Sequence, residues 1–251
     1  MKLDLKVLSL RYSSWSIRAW LALKHAGADF TFETVELETM KTKNKEFENN
    51  KRIETEKRKK LGSVIGLFPV LHLDDLAIHE SLAIAEFAAD LHPEAHLWPE
   101  SLTDRAYARA ISQEMATGFL NVRDQLSCHV FARVKTLEMR ENTKIEVERI
   151  KEIWKTCLDR TKANGKDAEG PFLFGKFSIA DCMYFPVVTR FRTYNVPMPA
   201  QLESYCQAME NQPAVKAWLK EALKAPELPI YDEYILSLGG DPNGGFDKSK
   251  F

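Results

Sequence analysis

Residues 13–23 read Ser-Ser-Trp-Ser-Ile-Arg-Ala-Trp-Leu-Ala-Leu, and they begin the helix that organises the first part of the chain. Apolar side chains recur at the i, i+3, i+4 spacing of a helix with one buried face, at Ile17, Trp20 and Leu21. Ser13 and Ser14 are both suited to cap the first turn, because a serine hydroxyl accepts a hydrogen bond from a free backbone N–H. Gly27 is a typical end signal. The pattern therefore predicts a helix over Trp15–Ala26.

Two predicted strands flank this helix. Residues Lys2–Leu10 alternate in the manner of a strand, with Leu3, Leu5 and Val7 on one side. Residues Phe30–Leu37 alternate in the same way. A strand, a helix and a second strand in this order predict two parallel strands joined by a right-handed crossover.

A β-hairpin is predicted further along the chain. Residues 67–73 read as a strand that opens with Pro69, two aspartates at 74 and 75 make a tight turn, and Leu76–His79 reads as the returning strand. Helical spacing follows over Glu80–His92, and the proline after it ends the helix. Residues 1–92 are therefore expected to form an α/β domain.

The remainder of the chain has the period of helices. Residues 93–101 contain two prolines and are expected to form a linker, and residues 102–228 are expected to form an all-helical domain. The amphipathic stretches in it are Asp104–Arg133, Asn142–Ala163, Ser178–Tyr194, Gln201–Asn211 and Pro213–Lys224. Residues 229–251 contain two Gly-Gly pairs and are expected to form an irregular tail.

Composition excludes several classes of protein. Of the 251 residues, 45% are hydrophobic and 28% are charged, which is ordinary for a globular protein. The net charge of −1 creates no global field for nucleic acid or an anionic membrane, so neither is expected as a partner. No run approaches the roughly 20 apolar residues of a membrane span, and the charged N-terminus is unlike a signal peptide.

The cysteines point to a reduced environment. There are four, all in the second half of the chain, and none has the C-x-x-C spacing of a zinc ribbon or a redox dithiol. No metal site is therefore expected. We interpret them as reduced thiols of a cytoplasmic protein.

The segment Met40–Lys60 has a strongly basic composition, with nine Lys or Arg and four Glu. Such a composition is typical of a solvated helix face or a mobile surface segment. A second interpretation is that a lysine at its end, Lys59 or Lys60, reaches an anionic ligand.

Four motifs in a fixed order make the chain similar to the glutathione transferase superfamily over about residues 3–224. Residues 13–23 resemble the active-site turn of its serine-type classes, namely zeta, tau, theta and many bacterial relatives. In those classes a serine stands five residues before an arginine, and counting back from Arg18 gives Ser13. The resemblance implies that Ser13 stabilises the thiolate of glutathione, with Ser14 as the alternative. A hydroxyl donor and a helix N-terminus both favour the charged form of a thiol.

Two further motifs resemble the part of the family's site that holds the rest of glutathione. Phe68-Pro69 resembles a cis-proline whose preceding residue pairs its backbone with the cysteinyl part of glutathione, in the manner of an added strand. Glu80-Ser81 resembles an acid-serine pair at a helix start. The resemblance implies that Glu80 binds the γ-glutamyl ammonium and Ser81 binds the γ-glutamyl carboxylate.

The fourth motif concerns folding. Phe177-Ser178-Ile179-Ala180-Asp181 resembles the capping box of the family's helical domain, in which Asp181 accepts a hydrogen bond from the Ser178 N–H. The later stretch Asn211–Trp218 resembles the start of a late helix. No chemistry is assigned to Asp181.

The chain departs from the family pattern in two places. Trp15 stands where the zeta class, which isomerises maleyl compounds, has a cysteine. The segment 40–66 is longer than the usual second-helix region, which supplies a cation for the glycine carboxylate of glutathione. Lys60, or Lys59 beside it, is the candidate for that role.

The resemblance implies a thioredoxin-like N-terminal domain, an all-α C-terminal bundle and a homodimer. The expected activity is conjugation of glutathione, as co-substrate, to a small apolar electrophile in the cytoplasm. Four residues are expected to line the pocket for that electrophile: Met115, Phe119, Arg123 and Phe185.

Three alternatives stay open at this stage. One is an isomerase of maleylacetoacetate type, for which Arg11 and Arg18 are candidate cations, although Arg18 is also expected to form a structural ion pair. Another is a non-catalytic glutathione-binding scaffold. The third, a glutathione-dependent reductase, is disfavoured because no cysteine lies in the first domain.

Overall fold

A computed structural model describes residues 1–35 and 51–245 of the chain. The first part contains a four-stranded sheet in the order β2-β1-β3-β4. Its strands are β1 (Leu3–Val7), β2 (Phe30–Thr34), β3 (Val70–Leu73) and β4 (Leu76–His79). The strands β1 and β2 are parallel, whereas β3 is antiparallel to both β1 and β4. The predicted parallel pair and the predicted hairpin are therefore both confirmed.

The helix α1 (Ser14–Ala26) connects β1 to β2. Ser13 is its N-cap, with an extended backbone and a hydroxyl that accepts a hydrogen bond from the Ser16 N–H. Gly27 ends it with φ of 78°, a left-handed conformation that glycine adopts without steric cost. The predicted helix is confirmed, and the structure selects Ser13 over Ser14 as the cap.

Two helices complete the first part. The helix α2 (Lys51–Lys60) confirms the helical interpretation of the basic segment for these residues. The rest of that segment, and the end of the predicted strand Phe30–Leu37, lie outside the described residues. The helix α3 (Ser81–Leu91) follows the hairpin and packs against α1.

The second part is helical. Its helices are α4 (Leu102–Thr117), α5 (Leu120–Gln125), α6 (Glu141–Ala163), α7 (Ile179–Thr193), α8 (Ala200–Asn211), α9 (Pro213–Lys224) and α10 (Pro229–Ser237). Nearly every residue of α7 is buried, and α1 and α4 both pack against it. The Ser178 N–H donates to Asp181 Oδ2 at 2.9 Å, which confirms the predicted capping box. One continuous hydrophobic core joins the sheet, α1 and these helices.

The amphipathic stretch Asp104–Arg133 is not helical throughout, because it contains a break between α4 and α5 and no helix after Gln125. The chain leaves α4 at Gly118, and Phe119 adopts a left-handed φ of 58° before the short helix α5. The guanidinium of Arg123 donates to the carbonyls of Met115 and Ala116 at the end of α4. A helix end leaves carbonyls without partners, so Arg123 satisfies the groups that the break exposes.

The prediction of an irregular tail is wrong over Pro229–Ser237, which form α10 with a proline at its first turn. The residues that follow α10 pair with an earlier segment, because Arg133 and Asp241 exchange two backbone hydrogen bonds of 2.8 Å. Gly240 permits this approach, since a Cβ there would lie 2.8 Å from the Arg133 carbonyl oxygen. The pair Gly239-Gly240 therefore marks close packing of two backbone segments and not an unstructured end.

Candidate functional site

A pocket of about 280 Å³ opens between four elements. They are the residues before β3, the start of α3, the N-terminal end of α1 and the C-terminal end of α4. Its lining residues are Trp15, Ile65, Leu67, Phe68, Pro69, His79, Glu80, Ser81 and Ala116. Four of the predicted site residues are therefore brought together here: Phe68, Pro69, Glu80 and Ser81. The other three, Ser13, Ser14 and Lys60, are not among the lining residues.

Ser13 lies beside this pocket, two residues before Trp15. Its backbone N–H donates to the Ser9 carbonyl at 3.0 Å, which holds the turn between β1 and α1. The Ser13 hydroxyl donates to Ser16 Oγ at 3.0 Å, and Ser16 Oγ also accepts from the Leu8 N–H at 3.2 Å. Ser13 is half-buried, whereas Ser14 is buried at the first position of α1. Of the two serines, Ser13 has the more accessible hydroxyl.

The Phe68–Pro69 peptide bond is cis. The Phe68 side chain is buried with Val35 and Val70, so the ring anchors this turn against the sheet. In the described residues, the backbone N–H and C=O of Phe68 have no hydrogen-bond partner. These two groups can therefore pair with an extended backbone placed beside them.

Glu80 and Ser81 stand at the start of α3. Glu80 is exposed, and its φ of 72° is unusual for a residue other than glycine. Ser81 is buried, and its Oγ has no hydrogen-bond partner in the described part of the protein. Buried hydroxyls are normally satisfied, and the free N–H groups of a helix N-terminus attract anions. The Ser81 hydroxyl is thus a group that a bound anion would satisfy.

The lysine predicted to bind the glycine carboxylate of glutathione does not line this pocket. Lys60 is exposed at the last position of α2 and does not line the pocket, and Lys59 forms an ion pair with Glu56 at 3.0 Å. Sequence reasoning missed four residues of the pocket wall, which are Ile65, Leu67, His79 and Ala116. Ile65 and Leu67 are close to Pro69 in the sequence, a signal that could have found them. Ala116 is brought in only by the packing of α4.

Trp15 forms the wall of the pocket that faces the helical part. The guanidinium carbons of Arg18 and Arg123 each lie 4.5 Å from the centroid of its ring, within the range of cation–π attraction. Arg18 was expected to form an ion pair, but it forms none with the described residues, which corrects that prediction. Arg18 is fully buried and its Nε donates to the Met183 carbonyl at 2.9 Å instead.

The residues expected to form a second pocket are mostly in the core. Met115, Phe119 and Phe185 are each at most 6% exposed. Arg123 is half-buried against Trp15, near the glutathione-site candidates. Met115 lies on the buried face of α4, and Phe119 is buried at the break between α4 and α5.

The residues before Ser13 are held by the last described helix. The Tyr12 ring stacks on Tyr231 of α10 with centroids 4.5 Å apart, and its hydroxyl accepts a hydrogen bond from the Leu228 N–H. Burial raises the pKa of Tyr12 to about 12, so the phenol stays protonated at neutral pH. Arg11 is buried and forms an ion pair with Glu227 at 3.1 Å. The charge of Arg11 is therefore already compensated.

Other observations bear on the class of the protein. All four cysteines lie in the described region, and each is buried with a free thiol. Among residues 1–35 and 51–245, no group of three His, Cys, Asp or Glu side chains is arranged to hold a metal ion. None of the helices in those ranges combines the length and apolar character that crossing a membrane requires.

The chain was compared with known proteins. Among curated proteins, a probable maleylacetoacetate isomerase from Caenorhabditis elegans is 35% identical over 105 residues. This match spans 42% of the chain and 42% of that relative.

Solved structures share the fold. A glutathione transferase homolog from Burkholderia gl BGR1 with bound glutathione has a TM-score of 0.63 and 21% identity, covering 90% of this chain and 100% of that one. A Tau class glutathione S-transferase from mango, Mangifera indica, has a TM-score of 0.58 and 19% identity, covering 94% of this chain and 98% of that one.

Two family models match successive parts of the chain. The glutathione S-transferase N-terminal domain matches residues 12–91, which include the Ser13 turn, the cis-proline and the Glu80-Ser81 pair. The glutathione S-transferase C-terminal domain matches residues 144–221, which include the capping box. The chain belongs to the glutathione S-transferase superfamily.

Proposed function

We propose that the protein is a glutathione transferase that conjugates the thiolate of glutathione to a small apolar electrophile. The observation that carries the proposal is the buried Ser81 hydroxyl at the N-terminus of α3. It has no hydrogen-bond partner among the described residues, and the exposed carboxylate of Glu80 stands beside it. The γ-glutamyl end of glutathione carries a carboxylate and an ammonium on one carbon. An anion site and a carboxylate next to each other match that pair of charges.

The remaining contacts follow the pocket wall. Phe68 offers its backbone N–H and C=O, which have no partner in the described part of the chain, to the cysteinyl part of glutathione, as one strand offers them to another. Its cis peptide bond with Pro69 fits the family pattern. We propose that Lys60 is the cation that binds the glycine carboxylate of glutathione.

Ser13 is proposed to activate the sulfur. Its hydroxyl donates to Ser16 in the described structure, and rotation of the hydroxyl proton would redirect it to a thiolate placed at the start of α1. A hydrogen bond to the charged form lowers the pKa of a thiol from about 8.5, which raises the thiolate fraction at neutral pH. Ser14 is the alternative donor.

The electrophile is proposed to bind against the apolar part of the same wall. Ile65 and Leu67 are exposed large hydrophobic residues there, and Trp15 and Ala116 face them across the pocket. We further propose a cytoplasmic homodimer, in which the first domain of each subunit faces the helical domain of the other. Light scattering of the purified protein tests the dimer.

The activity is tested by the absorbance of the glutathione thiolate on the purified protein as pH is varied. The wild type is compared with Ser13→Ala, and Ser14→Ala serves as the matched control. We expect a lowered thiol pKa in the wild type and in the control, and a return toward about 8.5 in Ser13→Ala alone. Binding of glutathione with an unshifted thiol pKa would instead identify a non-catalytic relative.

A second candidate function is isomerisation of a maleylacetoacetate-type acid. The relative from Caenorhabditis elegans that carries that name favours it. Trp15 argues against it, because it replaces the cysteine that the zeta class has at this place. Glutathione-dependent isomerisation of maleylacetoacetate, measured beside conjugation of an apolar electrophile, separates the two. Rapid isomerisation without conjugation would reverse the order proposed here.

A further inference from the structure

Three arginines converge behind Trp15, at the boundary between the sheet part and the helical part. They are Arg18 of α1, Arg123 of α5 and Arg190 of α7, which we call the arginine cluster. Arg18 and Arg190 are at most 6% exposed, and Arg123 is half-buried. Arg18 and Arg123 both stack on the Trp15 ring. Arg190 Nη1 donates to the Leu126 carbonyl and, at 3.4 Å, to the Arg123 carbonyl.

The hydrogen bonds of the arginine cluster go to neutral backbone carbonyls. Arg18 donates to Met183, Arg123 donates to Met115 and Ala116, and Arg190 donates to Leu126. In the two described ranges, no carboxylate forms an ion pair with any of the three. Other arginines of the protein do have such partners: Arg149 pairs with Glu114, and the buried Arg11 pairs with Glu227.

Two donors of the cluster are also unsatisfied. Arg18 Nη1 and Arg123 Nε are buried and have no hydrogen-bond partner among the described residues. A guanidinium presents five N–H donors in a fixed plane, and a buried donor without a partner is costly. Carbonyl dipoles therefore compensate the cluster only in part.

The charges persist at neutral pH. Burial, together with the neighbouring guanidiniums, lowers the pKa of Arg18 to about 9 and the pKa of Arg123 to about 10. Both values leave the side chains protonated near pH 7. Bringing like charges together out of water is unfavourable unless a counter-charge is present. A bound anion would supply that counter-charge.

Among residues 1–35 and 51–245, no ionised carboxylate lies within ion-pair distance of the arginine cluster. The groups that would offset the charge of Arg18 if they ionised are the Cys128 thiol and the Tyr184 hydroxyl. Burial raises the pKa of both groups above their ordinary values, so both are neutral at physiological pH. Glu146 acts on Arg123 only from beyond ion-pair distance, and its oxygens already accept from the Asn121 side chain and the Val122 N–H.

We propose that the arginine cluster is a binding site for one small monovalent anion, either an inorganic halide or the carboxylate of a small organic molecule. The anion accepts from Arg18 Nη1 and from Arg123, and it offsets the charge of Arg190. The site is separate from the contacts proposed for glutathione, since Trp15 stands between the cluster and the pocket. The proposal does not depend on the transferase activity.

The test is thermal unfolding of the full chain without glutathione, in sodium chloride, sodium acetate and sodium gluconate at equal ionic strength. Gluconate is the reference because it is too large for a buried site. We expect the Tm in chloride or acetate to exceed that in gluconate by about 3–6 °C at ten times the dissociation constant, since only the folded state binds. A response to chloride identifies a halide site, and a response to acetate alone identifies a carboxylate site.

Two variants make the test specific. Arg190→Met removes one member of the cluster and is expected to abolish the difference between the salts. Arg149→Met removes an equal charge from an exposed, ion-paired position and is expected to keep the difference. Equal Tm values in all three salts for the wild type, or an unchanged anion response in Arg190→Met, would overturn the proposal.

Crystals of the wild type soaked in bromide provide a measurement that does not require a variant to fold. An anomalous peak beside Arg18 Nη1 is expected for a halide site. If chloride raises the Tm and the soaked crystals show only a water there, the anion acts elsewhere and the proposal is wrong.

Discussion

The imidazole Nε2 of His129 lies 2.7 Å from Oδ1 of Asp232, and this contact ties α10 to the segment that follows α5. The same carboxylate oxygen accepts a hydrogen bond from the Tyr12 hydroxyl at 3.4 Å. Asp232 therefore joins the end of the described chain to the residue before Ser13. The position of the candidate active-site turn depends on a helix more than two hundred residues away in the sequence.

We expect Asp232→Ala to lower the free energy of unfolding by about 1–3 kcal/mol, because the fully buried His129 would lose its partner. Urea denaturation measures the change. Leu236→Ala in the same helix is the control, since Leu236 is 59% exposed and should tolerate truncation. Equal stability of the two variants would mean that the contact does not hold α10 in place.

The pH dependence of stability tests the state of His129. Burial lowers its pKa, against the opposing effect of Asp232, and Arg11 also disfavours its protonation. The unfolded chain takes up a proton near pH 6.5, and the folded protein does so only at lower pH. The contribution of neutral His129 to stability is thus fully present above the pKa of the unfolded chain, about 6.5, and is lost as pH falls through the lowered pKa of the folded protein.

We therefore expect the free energy of unfolding to decrease between about pH 7 and about pH 5, and to decrease less in His129→Gln. Urea curves at several pH values measure it. His25, whose pKa burial also lowers, contributes with the same sign and remains in the variant. A variant with the same pH slope as the wild type would show that His129 does not titrate in this way.

Ser81→Ala should separate binding from stability. The Ser81 hydroxyl has no partner in the described protein, so its removal is expected to change stability by no more than about 0.5 kcal/mol. Glutathione affinity should fall roughly tenfold or more, as for loss of a hydrogen bond to a charged group. Calorimetric titration measures the affinity.

Ser112→Ala is the matched control for this experiment. Ser112 also carries a buried hydroxyl without a partner in the described residues, but it lies in α4 and does not line the pocket. Its removal is expected to leave glutathione affinity unchanged. A comparable loss in both variants would point to a general effect of buried hydroxyls.

Glu80→Gln tests recognition of the ammonium group. We expect about a tenfold loss of affinity for glutathione, because a charge-assisted hydrogen bond becomes a neutral one. A glutathione analogue that lacks the amino group should bind the wild type and the variant alike. The two changes together isolate the interaction between Glu80 and the ammonium group. If Glu80→Gln and removal of the amino group lowered the affinity independently, Glu80 would not bind the ammonium.

Much of the first part of the fold follows from local signals in the sequence. The end at Gly27, the hairpin and the capping box at Asp181 are each specified within a few residues, and each is found. The sequence narrowed the cap of α1 to Ser13 or Ser14, and the structure selects Ser13. The cis-proline and the Glu80-Ser81 pair also lie in one pocket, as the resemblance implied.

The errors arise where distant residues decide the conformation. After Thr117 the helix breaks, and Arg123 reaches back to the carbonyls of α4 that the break exposes. Apolar spacing alone does not reveal such a contact. The glycines after α10 were interpreted as part of an irregular tail, yet backbone packs so closely on Gly240 that a Cβ there would clash with it. Arg18 was expected to have an acidic partner, and only the packing of α7 shows that it has a carbonyl instead.

The helix α1 begins at the candidate active-site turn and is anchored by the other half of the molecule. Arg18 is bonded to the Met183 carbonyl of α7, and His25 lies 2.8 Å from the side-chain nitrogen of Gln212, the cap of α9. The N-terminal part therefore cannot be exchanged between family members without regard to the helices that α1 contacts. A chimera could combine the first ninety residues or so with the helical half of another family member. It would also have to keep the parts of α7 and α9 that contact α1, because otherwise the helix that carries the serine turn would lose these contacts.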